Sequence, residues 1–182
     1  MSALTLAQAK THLNISTTTH DVELQVFIDA AEAAIKAIIG PIAAQSVTAV
    51  IRTGDTSTLV LPIAPAISLT SVTADGGLAE DLSDFTLDEA SGLVTRSAPW
   101  SDTFAAAVYT VTYSAGRSPV PADILIAIAE MVRHLWATQR GPSGRPGSPQ
   151  SDVLANTLPG AAYALPIRVT QLLAPHAYTG LA

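Results

Sequence analysis

The chain contains no cysteine and few charged residues, and each shortage excludes a class of protein. Without cysteine there are no disulfide bonds, thiol nucleophiles or thiolate metal sites. Charged residues make up 13% of the 182 residues and apolar residues 48%, a balance that excludes a wholly disordered chain. This length allows one domain, with or without an appendage, to bury a sizeable core.

Long apolar runs are also missing. No stretch of about eighteen uninterrupted apolar residues is present, so the sequence predicts no transmembrane helix and no membrane partner. The N-terminal stretch MSALTLAQAKTHL lacks the basic start and the apolar segment of a secretory signal. We therefore expect a protein that is made and kept in the cytoplasm.

Motifs of known catalytic and metal chemistry are absent from the sequence. It has no phosphate-binding glycine loop with its lysine, no G-x-S-x-G elbow, no H-E-x-x-H and no zinc-ligand spacing. The runs 20–23 and 75–89 hold several carboxylates but lack the ligand spacing of a metal loop. A helix start and a solvated sheet edge explain them better. The sequence therefore predicts no catalytic residue, no cofactor and no metal site.

Charge is distributed unevenly along the chain. Residues 1–130 include 14 acidic and 5 basic residues, a net charge of −9. Residues 131–182 include four arginines and one aspartate, a net charge of +3. An acidic body repels nucleic acid, and a basic tail is attracted to an acidic partner. The alternative explanation for the acidic body is an ordinary solvated surface.

Three stretches have the spacing of amphipathic helices. The first begins at a capping box that starts with Thr5. The second begins in an acidic turn at Asp21 and ends at Gly40-Pro41, because proline cannot continue a helix. The third follows Pro121 and has two adjacent apolar rows. These patterns predict helices over residues 5–13, 20–39 and 121–140.

Between the second and third helices the apolar residues alternate with polar ones. Residues 45–114 contain short strand candidates separated by glycine, aspartate and proline, which favours an antiparallel sheet. A turn-like stretch, 52–57, joins the candidates 47–51 and 59–63, so we expect a hairpin there. The sequence thus predicts an α+β fold: a small antiparallel helical bundle of two N-terminal helices and one central late helix, with an inserted antiparallel β-rich segment and an extended C-terminal arm.

A glycine- and proline-rich stretch follows the third helix. We expect a body over 1–140, a flexible link over 141–157 and a docking arm over 158–182. The arm has an apolar side for two helical turns near 166–175 but too little mass for its own core. It therefore either contacts a partner or packs back on the body. Its candidate partner-binding residues are Arg140, Arg145, Tyr163, Arg168, Leu172, Leu173 and Tyr178.

The order of these elements resembles that of the head-tail connector, or adaptor, proteins of long-tailed double-stranded DNA bacteriophages. The resemblance rests on LAQAKTHL at 6–13, IDAAEAAIKAIIG at 28–40, VTYSAGRSPVPADILIAIAEMVRHLWATQRG at 111–141 and AYALPIRVTQLLAPH at 162–176. The matched positions are Leu6, Lys10, Leu13, Asp21, Leu24, Ile28, Ala31, Gly40, Tyr113, Gly116, Pro121, Ala127, Trp136 and Arg140. In this chain Arg117 stands where an aromatic residue often follows the family's glycine.

The resemblance implies a structural virion protein without catalytic activity. It implies a ring, commonly a dodecamer in this family, beneath the portal at the head-tail junction, with DNA passing through it without sequence-specific binding. The implied partners are the portal protein, neighbouring copies of the chain, and a stopper or tail-terminator protein on the tail side. On exposure alone, we expect Asp29, Glu32 and Lys36 to contact the neighbouring copy.

Two other functions are compatible with the sequence. One is a different neck or tail-completion protein of the stopper type, a class usually richer in β structure. The other is a small carboxylate-dependent hydrolase, which requires a carboxylate of raised pKa in a cleft. Within the connector interpretation, the arm reaches either the portal, which the resemblance favours, or a neighbouring subunit.

Overall fold

A computed structural model describes residues 2–53, 56–74, 77–96, 104, 107–140 and 165–177. The chain divides into two compact units. The helical unit comprises Met1–Ile39 and Val120–Ala182, and the β unit comprises Gly40–Pro119. The insertion predicted from the alternating pattern is therefore a structural unit of its own. The predicted link over 141–157 lies outside the described residues.

The helical unit has four α-helices in its described part. They are α1 (Leu6–Leu13), α2 (Asp21–Ile39), α3 (Ala122–Arg140) and α4 (Ile167–Leu173), the last followed by a 3-10 turn (Ala174–His176). The first three lie within one residue of the stretches that the sequence predicts. None of the helices among the described residues is long and apolar enough to cross a membrane.

Local capping determines where α1 begins and ends. The Thr5 hydroxyl accepts a hydrogen bond from the backbone N–H of Gln8, and the Gln8 side chain accepts one from the N–H of Thr5. Both bonds satisfy donors that a helix start leaves without an internal partner. Asn14 ends the helix in the left-handed conformation, with φ 57°. The capping box predicted from the sequence is confirmed.

The core of the helical unit lies among α1, α2 and α3, which pack on one another. Leucine or isoleucine side chains that lose all contact with water each contribute about 1.5–3 kcal/mol to stability. The buried residues of α2 are Leu24, Ile28, Ala31, Ile35 and Ile39, and those of α3 are Ile124, Ala127, Ile128, Ala129 and Val132. Trp136 makes edge-to-face contacts with Phe27 and His20, with ring centroids 6.2 and 5.5 Å away.

The described part of the β unit contains two three-stranded antiparallel sheets. The strands are β1 (Gln45–Thr53), β2 (Thr58–Val60), β3 (Ala66–Ala74), β4 (Phe85–Asp88), β5 (Leu93–Arg96) and β6 (Ala107–Ala115). The strand order is β1-β6-β3 in one sheet and β2-β5-β4 in the other. Buried side chains from both sheets, such as Leu59, Val94, Val111 and Tyr113, form one core. The predicted α+β architecture with an antiparallel insertion is confirmed.

The predicted hairpin between residues 47–51 and 59–63 is wrong. All nine residues of β1 pair with β6, whereas β2 pairs with β5. Alternation shows that a strand has one buried face, but it does not identify the neighbouring strand. β2 has only three residues and ends two positions before Pro62, which has no N–H to donate. The longer β6 gives β1 a partner along its whole length.

Tyr113 and Gly116 hold the end of β6 in place. The Tyr113 hydroxyl accepts from the N–H of Ile63 at 3.1 Å and donates to its carbonyl at 3.2 Å, so this buried phenol is satisfied. Gly116 has φ +113°, and its N–H donates to the Pro65 carbonyl at 2.8 Å. A Cβ on Gly116 would lie 2.2 Å from the Ala43 carbonyl oxygen. Only glycine fits this turn.

Candidate interaction surfaces

The C-terminal helix α4 packs on α3. Val169 and Leu173, one turn apart, are buried, and Leu172 is half-buried. Ile167, on the outer side of the same helix, is 76% exposed. A seven-residue helix is not stable alone in water, so α4 depends on these two buried side chains. Of the two alternatives for the arm, packing back on the helical unit is the one observed for residues 165–177.

Glu130 of α3 links three helices of this unit. Its carboxylate lies 3.6 Å from Nη1 of Arg168 in α4 and 3.9 Å from Nη1 of Arg133 in its own helix. Nε2 of His12 in α1 is 3.8 Å away. The glutamate side chain is 14% exposed, whereas both arginine side chains are more than 60% exposed. Two guanidinium groups thus share one carboxylate, which leaves surplus positive charge on this surface.

A second polar contact fixes the other end of the arm. Nε2 of His176 lies 2.7 Å from Oδ2 of Asp123, and the N–H of Ile124 donates to Oδ1 at 2.9 Å. The hydrogen bond with His176 is the main reason why the pKa of Asp123 is below its ordinary value of 3.8. Partial burial opposes this shift. The depressed pKa means that α4 docks better when Asp123 is ionised.

The contribution of Asp123 to docking is therefore expected to depend on pH. A depressed carboxylate pKa stabilises the docked state above the ordinary pKa of 3.8, and this stabilisation is lost as pH falls through the lower folded pKa. Asp123→Asn should weaken protection of the α4 amides from hydrogen exchange at pH 6, by at most about 1 kcal/mol for a solvent-screened pair. The difference from wild type should vanish once the pH lies below the lowered folded pKa of Asp123. A difference that persisted where Asp123 is protonated in both states would contradict this assignment.

Only part of the predicted arm site lies within the described residues. Arg145, Tyr163 and Tyr178 lie outside them, as does the side chain of Arg140 at the end of α3. Of the remainder, Arg168 pairs with Glu130 and Leu173 is buried. Whether any of these residues binds a partner stays a prediction.

The three residues predicted to contact a neighbouring copy do not share one environment. Asp29 and Lys36 are exposed, as expected, but Glu32 is half-buried. Its Oε1 accepts hydrogen bonds from the Ser2 hydroxyl at 2.7 Å and from the backbone N–H groups of Ala3 at 2.7 Å and Leu4 at 3.0 Å. Glu32 thus anchors the N-terminal segment and is half-buried where exposure was expected. Contact of these three residues with a neighbouring copy stays a prediction.

The sequence interpretation missed an apolar row on the outer side of α2. Val22 is 84% exposed and Val26 is 60% exposed. Three exposed alanines continue the row at helical spacing, namely Ala30, Ala33 and Ala37. This row lies opposite the buried residues of α2. The signal was available in the sequence, because Val22 and Val26 fall outside the buried stripe.

No group of three or more histidine, cysteine or acidic side chains in the described ranges could hold a metal ion. Within the run 20–23, Nδ1 of His20 lies 3.4 Å from Oε2 of Glu23, and Asp21 pairs with Nζ of Lys10 at 2.6 Å. These side chains make contacts within the helical unit instead of converging on one point.

Comparison with known proteins identifies relatives at the level of family and fold. A family model described as "Head completion protein" matches residues 3–146. No curated protein matches the sequence significantly. Among solved structures, the chain is similar to one in the "Neck of empty GTA particle computed with C6 symmetry", a gene transfer agent particle. The TM-score is 0.64 at 18% identity, over 99% of this chain and 92% of that chain.

Proposed function

This chain belongs to the head completion protein family, and we propose that it is a structural protein of a phage-type virion, placed in the neck where head and tail join. Family membership over residues 3–146 is the observation that carries the proposal. It also confirms the resemblance to phage connector proteins found in the sequence. The likeness to a chain in the neck of a gene transfer agent particle supports the same location.

Within the neck, the chain forms a ring beneath the portal and lines part of the DNA channel. The C6 symmetry of the similar particle supports a ring, and a dodecamer contains sixfold symmetry. Charge supports the channel. The β unit has eight acidic and three basic residues, a net charge of −5, whereas the helical unit has seven and six, a net charge of −1. An acidic wall lets phosphates pass without binding them.

The proposed partners are the portal, neighbouring copies and a stopper or tail terminator. The C-terminal arm reaches the portal. With α4 docked on α3, its outer side presents Ile167 and Arg168 to a partner, while Leu173 holds the helix in place. An exposed isoleucine beside an exposed arginine is complementary to a portal surface that has an apolar patch next to an acidic residue.

The three described carboxylates whose pKa departs from its ordinary value do not support the hydrolase alternative. A general acid of this kind needs a raised pKa. The pKa values of Asp81, Asp88 and Asp123 are all lowered, chiefly by hydrogen bonds from Ser83, Ser91 and His176 respectively. The two long amphipathic helices α2 and α3 favour a connector over the β-rich stopper type. A structural role without catalysis is therefore the better proposal.

Removing the protein during particle assembly tests this role. Particles produced from a gene set that lacks this chain are expected to have heads without tails, and the full chain should restore tailed particles. A chain ending at residue 157 should not restore them, because it lacks α4 and the rest of the arm. Electron microscopy of the necks gives the result.

Two controls separate the outcomes of this experiment. Circular dichroism must show that the shortened chain keeps α1, α2 and α3, since its failure otherwise reflects unfolding. An Ile167→Ala chain with Arg168→Ala should fold normally and join the head poorly. Tailed, infectious particles without the chain would refute the neck role. Full rescue by the shortened chain would refute only the proposal that the arm docks on the portal.

A further inference from the structure

The chain itself covers one edge of the β1-β6-β3 sheet. Residues 78–80 run alongside β3, because Ala79 forms an antiparallel bridge with Thr73. The N–H of the next residue, Glu80, donates to the carbonyl of Val72 at 2.8 Å. We call residues 78–80 the β3 cover. They are the outermost segment described on this side of the sheet.

β1 forms the opposite edge, and no described segment covers it. Within the described part of the chain, residues 46–52 make backbone hydrogen bonds only to β6. In an antiparallel pair every second residue turns its N–H and C=O away from the partner strand, so this edge presents backbone donors and acceptors outwards. Proline, lysine and register shifts, which protect edges in many proteins, are all absent from β1. A regular edge of nine residues is therefore suited to pair with another chain.

The core of the β unit is also incompletely covered at β1. Val111 and Tyr113 of β6 are fully buried. Their partners in β1, Ala49 and Val47, lie on the same face of the sheet but are only half-buried. A strand added beyond β1 would remove these apolar side chains from water, which is favourable.

We propose that β1 of one copy pairs with the β3 cover of the next copy around the ring, so that the sheets of neighbouring copies become continuous. The inference rests on the proposed ring and specifies which surfaces close it. A closed ring needs two different surfaces on opposite sides of each copy. β1 and the β3 cover meet this condition, because they lie at the two ends of one sheet.

Strand direction supports this pairing. β1 and β3 run the same way, because both are antiparallel to β6, and the β3 cover runs the opposite way. Neighbouring copies in a ring have nearly the same orientation. β1 of the next copy therefore meets the β3 cover in the antiparallel arrangement, whereas it would meet β3 itself in the parallel one.

The strand pairs also indicate which residues meet. Thr73 and Val50 pair with the same residue of β6, so Ala79 lies level with Val50 of the next copy. Leu78 then lies on the core side of the sheet, since successive residues of a strand alternate between faces. Leu78 is 91% exposed in the single chain. In the joined sheet it lies beside Ile51 of the next copy and covers the half-buried face of β1.

Charge and symmetry favour the β3 cover over other occupants of the β1 edge. Arg52 is the only charged residue of β1, whereas residues 78–84 contain three acidic residues and no basic one. The two edges therefore attract each other at short range. Pairing of two β1 strands would create two-fold symmetry, which neighbouring copies in a cyclic ring do not have.

Cross-linking tests the pairing directly, because the chain has no cysteine of its own. Val50→Cys and Ala79→Cys alter exposed positions, so both variants should fold. Within one copy the two positions are three strand spacings apart, about 14 Å, which is too far for a disulfide. Oxidation of the double variant in assembled particles should shift the chain from monomer to a ladder of covalent oligomers on non-reducing gels. Each single variant should remain monomeric.

The matched control pairs Val50→Cys with Thr95→Cys, an exposed position on β5 in the other sheet. This control should give no ladder, and a ladder equal to that of the Val50→Cys and Ala79→Cys pair overturns the proposal. Dimers from Val50→Cys alone would show that β1 pairs with itself, and a cross-link to another virion protein would show a different occupant. Either result overturns the proposal, as does the absence of a ladder in particles that contain the chain. Mass spectrometry of the particles separates this failure from that of the neck function, for which the chain would be missing altogether.

Discussion

Gly116→Ala is expected to lower the free energy of unfolding of the β unit by about 4 kcal/mol. Backbone strain at a positive φ of this size costs about 1–3 kcal/mol for a residue with a side chain. The new methyl group would also lie 2.2 Å from the carbonyl oxygen of Ala43, and overpacking of this kind costs about 1–3 kcal/mol. The obstacle is backbone, so no side-chain rotation relieves it.

Hydrogen exchange of the β6 amides measures this loss within the β unit. A decrease of about 4 kcal/mol corresponds to exchange about 1,000-fold faster for amides that open with global unfolding. Gly77→Ala is the matched control, because its Cβ would meet one oxygen at 3.3 Å and its φ is outside the left-handed region that disfavours a side chain. We expect a change below about 1 kcal/mol there. Equal losses of unfolding free energy in both variants would show that the turn at Gly116 has no particular requirement for glycine.

The helices could be predicted because their signals are local. The capping box at Thr5 and the acidic turn at Asp21 involve residues within one turn of each other. Apolar spacing then identified the buried side of α2 and α3. Such interactions depend little on the rest of the chain, so the sequence alone contains what is needed to place them.

Contacts between distant residues could not be predicted in the same way. The pairing of β1 with β6 joins residues about sixty positions apart, and alternation is the same whichever strand is the neighbour. Glu32 was placed on the surface because its helical position points away from the apolar stripe. Its carboxylate instead holds the backbone of Ala3 and Leu4, almost thirty residues earlier.

For the arm, the sequence predicted the local helix but not the surface on which it packs. The spacing of Val169 and Leu173 predicted a helix with one apolar side, and the structure has that helix at Ile167–Leu173. The sequence could not determine what covers the apolar side, because a partner and the protein's own α3 offer the same chemistry. In the described structure α3 covers the apolar side of α4, and Arg168 of α4 also lies 3.6 Å from Glu130 of α3.

The charges are distributed differently between the folded units than along the sequence. Along the sequence, an acidic body precedes a basic tail. In the fold, the C-terminal arginines join α1, α2 and α3 in a nearly neutral helical unit, and most of the net negative charge belongs to the β unit. A nearly neutral unit is suited to contacts between copies, because it creates little repulsion between them. An acidic unit is suited to line a passage for DNA, because it does not bind phosphates.

Leu173→Ala is expected to detach α4 from α3 without unfolding the remaining helices. Leu173 is fully buried, and such a truncation costs about 2–5 kcal/mol. Much of the free energy that docks this seven-residue helix comes from Val169 and Leu173. A loss of this size is therefore expected to exceed the free energy of docking of α4 on α3. Because a helix this short does not persist alone, undocking and unfolding of α4 occur together. Hydrogen exchange of residues 168–173 should become about 100-fold faster, which corresponds to about 2.8 kcal/mol.

Ile167→Ala is the control on the same helix. Ile167 is 76% exposed, so its removal should change α4 protection by less than about 0.5 kcal/mol. Amides of α2 and α3 should keep wild-type protection in both variants, since their core lies among α1, α2 and α3. If Leu173→Ala left α4 protected, or if Ile167→Ala exposed it equally, Leu173 would not be the anchor. The two variants also separate two roles of the arm, because Leu173 docks α4 on α3, whereas Ile167 is expected to contribute only when a partner protein binds.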